Sequence, residues 1–115
     1  MPEPEWPPHL DALAAAPAHH KLLFENEAVR VIETILPPGE TTSLHTHRWP
    51  GPLHLIRWSD IVRRDPSGTI LMDSRTSSIP RVEGAISWAS ALPPHTLENV
   101  GDATFRAITT ELKHL

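Results

Sequence analysis

Apolar and polar residues follow one another in short runs, broken by proline and glycine, and the runs predict strands. Ala28 to Leu36 is rich in β-branched residues and is the clearest strand of the chain. Lys21 to Phe24 precedes it across the turn Glu25-Asn26-Glu27, and Pro37-Pro38-Gly39-Glu40 stops it. Thr41 to His47 reads as a second strand, mostly polar on both faces; the loop Trp49-Pro50-Gly51-Pro52 and the strand Leu53 to Trp58 come next. Ile61 to Arg64 and Thr69 to Asp73 flank Asp65-Pro66-Ser67-Gly68, whose proline and glycine suit the second and fourth positions of a type I turn. Gly84 to Ala89, Thr96 to Val100 and Thr104 to Leu112 complete the set, with Gly101-Asp102 turning the chain between the last two. Ahead of the strands, Asp11 to Ala16 predicts a short helix that Pro17 ends. Eight or nine short strands without a long helix predict an all-β fold, an antiparallel jelly roll or closed barrel. Residues 1–20 form its arm and short helix, and residues 21–115 the barrel.

Composition narrows the picture. A chain of 115 residues, 39% apolar and 21% charged, suits one domain with one core. The 13 prolines cluster between apolar runs, where a residue without a backbone donor punctuates strands. The net charge is −4, and the densest basic spot, Arg63-Arg64, is flanked by Asp60 and Asp65. Nucleic acid and anionic membranes need clustered cations, so neither is an expected partner. The absence of cysteine excludes disulfides and thiolate zinc sites. The acidic, proline-rich start does not read as a secretory signal, and no apolar stretch is long enough to span a bilayer, so a cytoplasmic protein is expected. The edge strands of a jelly roll, and a proline-rich arm carrying Trp6, predict a homodimer.

Three of the eight histidines stand out by position. His45 and His47 lie two apart on one strand, so both imidazoles face the same side. Packing explains such a pair poorly, and a metal explains it well. His95, after Pro93-Pro94 at the start of a late strand, can supply a third ligand if that strand lies beside the early one.

Gly39, five further residues and then His45-Thr46-His47 resemble the first half of the first cupin motif. Leu92-Pro93-Pro94-His95 with Asn99 resembles the end of the second. Leu22 to Val31 and Glu98 to Asp102 look like the opening and closing segments of small single-domain cupins of the RmlC-like kind. The resemblance runs from about Lys21 to Lys113. It is greatest to short bacterial cupins, some connected with β-alanine degradation. It implies a cupin jelly roll and a metal site, with a reaction class left open. Many cupins place a glutamate ligand shortly after the second histidine; here those positions are Gly51 and Pro52. Pro94 stands where the family usually has glycine, and the glycine that closes the first motif is absent. A three-histidine site follows, or a degenerate one. His54 is a possible replacement ligand, and a one-residue change of strand phase decides whether it points in or out.

The remaining polar candidates carry less. Trp49 and Trp88 are candidate pocket residues or ordinary core and rim; Asn99 is a candidate near the ligand strand, with a structural hydrogen-bonding role as the alternative. Arg57 and Arg106 can meet a substrate carboxylate or lie in solvent. His19-His20 and His114 read as exposed and inert, and Glu98 and Glu111 as solvent-facing or paired with arginine. The set suits one divalent ion, Fe, Zn, Mn, Ni or Cu, beside a small anionic molecule. Two functions compete: a metal enzyme of the dioxygenase-like kind, and a non-catalytic binding or sensing cupin. A cupin shell without metal is the third possibility.

Overall fold

The computed structural model describes residues 6–114. A 3-10 turn, Pro8–Leu10, leads into helix α1 (Ala12–Ala15). The strands follow as β1 (His20–Glu25), β2 (Val29–Leu36), β3 (His45–His47), β4 (Gly51–Arg57), β5 (Ile61–Arg64), β6 (Ile70–Asp73), β7 (Ile86–Ala89), β8 (Leu92–Asn99) and β9 (Phe105–Leu112). They form two antiparallel sheets, ordered β1-β2-β9-β4-β7 and β3-β8-β5-β6. This is the expected jelly roll with its short helix.

The longest ladder, β2 with β9, shows how sequence sets the layout. It runs in continuous register from Val29 opposite Leu112 to Leu36 opposite Phe105. Alternation turns Arg30, Ile32, Thr34 and Leu36 inward, facing Glu111, Thr109, Ala107 and Phe105. One end of this inner face is apolar and the other is charged. The apolar end joins the core of Leu36, Leu55, Ile61, Phe105 and Ala107, packed by Leu53, Trp58, Met72 and Leu97. The charged end is where the site forms.

Three departures from expectation have local causes. The strand expected from Thr41 shrinks to His45–His47, and Thr41 keeps only an isolated bridge to Glu98. The Thr42 hydroxyl accepts from the Leu97 amide at 3.0 Å, so a side chain competes with the ladder there. β8 begins at Leu92, and Pro93-Pro94 lie inside it. The register steps from His45 opposite His95 to His47 opposite Leu92, and that irregularity takes up residues that cannot donate. The Asp65 turn closes as predicted, with the Gly68 amide 3.0 Å from the Asp65 carbonyl.

The described residues ahead of β1 pack onto the sheets. Asp11 caps α1 by accepting from the Leu13 amide at 3.2 Å, Ala12 and Ala16 are buried, and the helix packs on β1 and β3. The Trp6 end, expected to reach a neighbour, falls partly in residues 1–5, which lie outside the described residues.

Candidate metal centre

The two sheets bring four imidazoles together. His45 on β3 stands opposite His95 on β8, with ring centroids 4.4 Å apart. His47 lies 5.0 Å from His45 and 5.7 Å from His95. The fourth is His20, only 5% exposed, 4.6 Å from His45 and 5.3 Å from His47. His20, His45 and His47 can each offer a ligand atom within 4.8 Å of the others. The reading of His20 as exposed and inert is therefore corrected. It opens β1 opposite Thr34, on the inner face of β2, and the turn after α1 delivers it there. Little in the sequence marks it, because every other residue of β1 is exposed.

Each of the four rings has its Nδ1 committed. That of His20 faces the Ala16 carbonyl at 3.0 Å, that of His45 the Ser43 carbonyl at 2.7 Å, and that of His95 the Pro93 carbonyl at 2.7 Å. His47 directs Nδ1 to Glu111 Oε2 at 3.2 Å. A carbonyl or carboxylate oxygen only accepts, so Nδ1 carries the hydrogen and Nε2 keeps its lone pair. No described residue supplies a hydrogen-bond partner to any of these Nε2 atoms. Metal-binding histidines are oriented in this way by an acceptor behind the ring. Burial, reinforced by neighbouring imidazoles, lowers His20 to about 2, His45 to about 4 and His95 to about 3. Those three rings are held neutral, the form a metal requires. The donor set of His20, His45 and His47 fits a divalent ion, and His95 stands beside that group against His45.

A buried charge network backs the cluster. Glu111, fully buried, accepts from Arg30 Nε at 2.9 Å through Oε1 while Oε2 serves His47. Arg30 also forks onto both oxygens of Asp11, at 2.7 and 3.0 Å. Burial opposes the charge on Asp11, but the Arg30 hydrogen bonds and charge outweigh it and hold the carboxyl below its usual range. Asp11 and Glu111 in turn raise Arg30. Glu111 is paired with arginine, one of the two states expected for it. Alternation along β9 could have assigned it inward, in phase with Phe105 and Ala107.

The position where many cupins carry a glutamate is closed. A Cβ on Gly51 would sit 1.7 Å from the Thr110 carbonyl oxygen, so the β9 backbone occupies that space. His54 does not replace the ligand: Leu53 and Leu55 take the inward phase of β4, and His54 is exposed on the other face. Asn99 is also away from the cavity. Its oxygen accepts from Ser59 Oγ and the Gly101 amide, and its nitrogen donates to the Leu36 and Ala103 carbonyls, so it locks two loops together.

A cavity of about 130 Å³ adjoins the imidazoles, lined among others by Trp49, Leu53, Ile61, Arg63, Leu92 and Phe105. It shares lining residues with a wider opening of about 320 Å³, bordered by Trp58 and by Trp88, which is 55% exposed. Trp49 thus lines the inner cavity and Trp88 only the opening. The Arg30 guanidinium lies 4.9 Å from the Trp49 ring centroid, fixing its face. Arg57 is exposed, and Arg106 donates to Glu33 at 2.6 Å, so neither faces the cavity.

No protein-family model matches the chain, and no curated protein does. Solved structures do. A cupin domain from Bordetella pertussis Tohama I superposes with a TM-score of 0.64 at 21% identity, over 82% of this chain and 91% of that one. An RmlC-like cupin with a double-stranded β-helix fold from Methanocaldococcus jannaschii gives 0.58 at 16% identity, over 83% and 79%. A polyketide cyclase from Streptomyces resistomycificus gives 0.52 at 15%, over 81% and 63%. The architecture of this chain is that of the cupin double-stranded β-helix, with a histidine cluster able to hold a metal ion.

Proposed function

We propose that the protein is a small metallo-cupin in which His45, His47, His95 and, as a fourth donor, His20 hold one divalent ion beside a cavity for a small anionic molecule. The observation that carries this reading is the shared hydrogen-bond pattern: four clustered imidazoles, each with Nδ1 tied back and Nε2 without a described partner. Fe, Zn, Mn, Ni and Cu all accept imidazole. Such an ion supplies Lewis acidity and, for iron, a place to activate dioxygen. Neutral donors leave its full charge, which favours an anionic ligand.

The chain's own side chains bear on the reaction class. Glu111 is the one carboxylate lining the inner cavity among the described residues, and both its oxygens are engaged. No side-chain carboxylate is free there to act as a general base. This supports dioxygenase-like chemistry over base-assisted hydrolysis. The same feature supports the second reading, a cupin that binds or senses a small molecule without turning it over. Oxygen uptake by the iron-loaded protein with a panel of thiols, diketones and hydroxy acids separates them. Uptake with any member is expected, whereas binding without uptake favours the sensing role.

The proposal includes a cytoplasmic homodimer. No helix among the described residues is long and apolar enough to cross a membrane. Edge strand β1 exposes Leu22, Leu23 and Phe24, and a second copy covering that edge removes both unpaired backbone and apolar surface from water.

A further inference from the structure

Arg63 is unlike the other cavity residues. It sits on β5 in the same inward phase as Ile61 and lines both the inner cavity and its wider opening. Its neighbour Arg64 points to the other face and pairs with Glu98 at 2.6 Å. Arg30, Arg75 and Arg106 are also paired with carboxylates. Arg63 is half-buried, and no described residue gives it a hydrogen bond, an ion pair or an aromatic face. Burial alone acts on it, lowering its affinity for the proton with no compensating partner. A guanidinium keeps its charge throughout the ordinary pH range, so the structure holds a cation in a largely apolar chamber.

Position gives this cation a meaning. Arg63 is opposite Leu97 on β8, and His95 is two residues before Leu97 on the same strand and face. Arg63 is thus the diagonal neighbour of His95, a spacing of roughly 7–8 Å between backbones. A molecule between them meets the histidine cluster at one end and the guanidinium at the other. The chamber of about 130 Å³ is close in size to one that accepts benzene, so a small molecule fits between the two ends.

We infer that Arg63 binds the carboxylate of the ligand, and that the ligand class is a small carboxylic acid carrying a second oxygen donor directed at the histidine cluster. A planar guanidinium takes a carboxylate through two parallel hydrogen bonds, which fixes orientation as well as charge. The inference rests on the metal-centre reading for the second donor, and on Arg63 alone for the carboxylate.

The test uses the cobalt-loaded protein titrated with glycolate, lactate and malonate, followed by visible absorption, with lactamide as the uncharged comparison. At least one acid is expected to bind tenfold or more tightly than lactamide. Arg63→Met should keep the wild-type cobalt content and lose at least tenfold in affinity for that acid, and Arg63→Lys should recover part of it. Equal affinity in wild type and Arg63→Met, at equal cobalt content, overturns the inference. Calorimetry on the metal-free protein separates the two readings. Arg63-dependent acid binding in a protein that retains neither cobalt nor any of iron, zinc, manganese, nickel and copper supports the carboxylate site and overturns the metal centre. Binding of none of the three acids by either form overturns the carboxylate site.

Discussion

His47 Nδ1 stands 3.2 Å from Glu111 Oε2, joining β3 of one sheet to β9 of the other. This contact joins a candidate ligand to the buried chain Glu111, Arg30 and Asp11, and so to the cap of α1. On the proposed metal centre, metal affinity and barrel stability should be coupled through one carboxylate. Glu111→Gln keeps an acceptor for the ring but removes the charge that makes Nε2 a better donor. It should weaken metal binding by about 10–100-fold. It should also lower Tm, because Arg30 loses one of its two buried partners. Competition against a chelator, with thermal unfolding alongside, checks both effects.

Acid should destabilise the metal-free protein well above the range of its carboxylates. His20, His45 and His95 are lowered from 6.5 to about 2, 4 and 3 by burial first and neighbouring imidazoles second. Above pH 6.5 they are neutral in both states and cost nothing. Below it the unfolded chain takes up protons that the folded chain refuses, so stability falls as pH falls. The loss should reach at least about 1 kcal/mol per pH unit between pH 6 and pH 4.5. Urea unfolding of the metal-free protein across that window shows it, and a flat profile contradicts the buried neutral cluster.

The legible part of this protein was whatever strand alternation encodes. The facing of His45 and His47, the Asp65 turn and the short helix follow from spacing and turn chemistry. The β3–β8 adjacency that places His95 depends on topology, which the resemblance to cupins supplied. His20 was out of reach because its burial comes from long-range pairing with β2 and from the turn after α1, neither of which leaves a local pattern. His54 shows the opposite problem: alternation gives two phases, and only the pairing of β4 with β9 and β7 selects the one that turns it outward. Arg63 stood out only as half of the densest basic spot, because sequence does not show that its neighbour takes the carboxylate.

Gly51→Ala should fail to make a better cupin. The added Cβ meets the Thr110 carbonyl oxygen at 1.7 Å, and a β-sheet backbone has little room to retreat. A destabilisation of about 3 kcal/mol is expected, at the upper end for overpacking. Chemical denaturation checks it. A Gly51→Glu variant of wild-type stability contradicts the view that β9 fills this position.

Self-association should depend on the β1 edge. Phe24 is 54% exposed there, beside Leu22 and Leu23. Light scattering at micromolar concentration should give a dimer mass for the wild type and a monomer mass for Phe24→Glu, with metal content unchanged. A monomeric wild type contradicts the proposed assembly without touching the site.

Metal content tests the central claim most directly. The protein, loaded in turn with iron, zinc, manganese, nickel and copper and then dialysed, should retain one equivalent of at least one of them by elemental analysis. His47→Ala should lose it, and His20→Ala should lose it or hold it at least tenfold more weakly. His54→Ala and His114→Ala should keep it, since both side chains lie on the outside. Retention of a full equivalent by His47→Ala, or of none of the five metals by the wild type, would contradict the account.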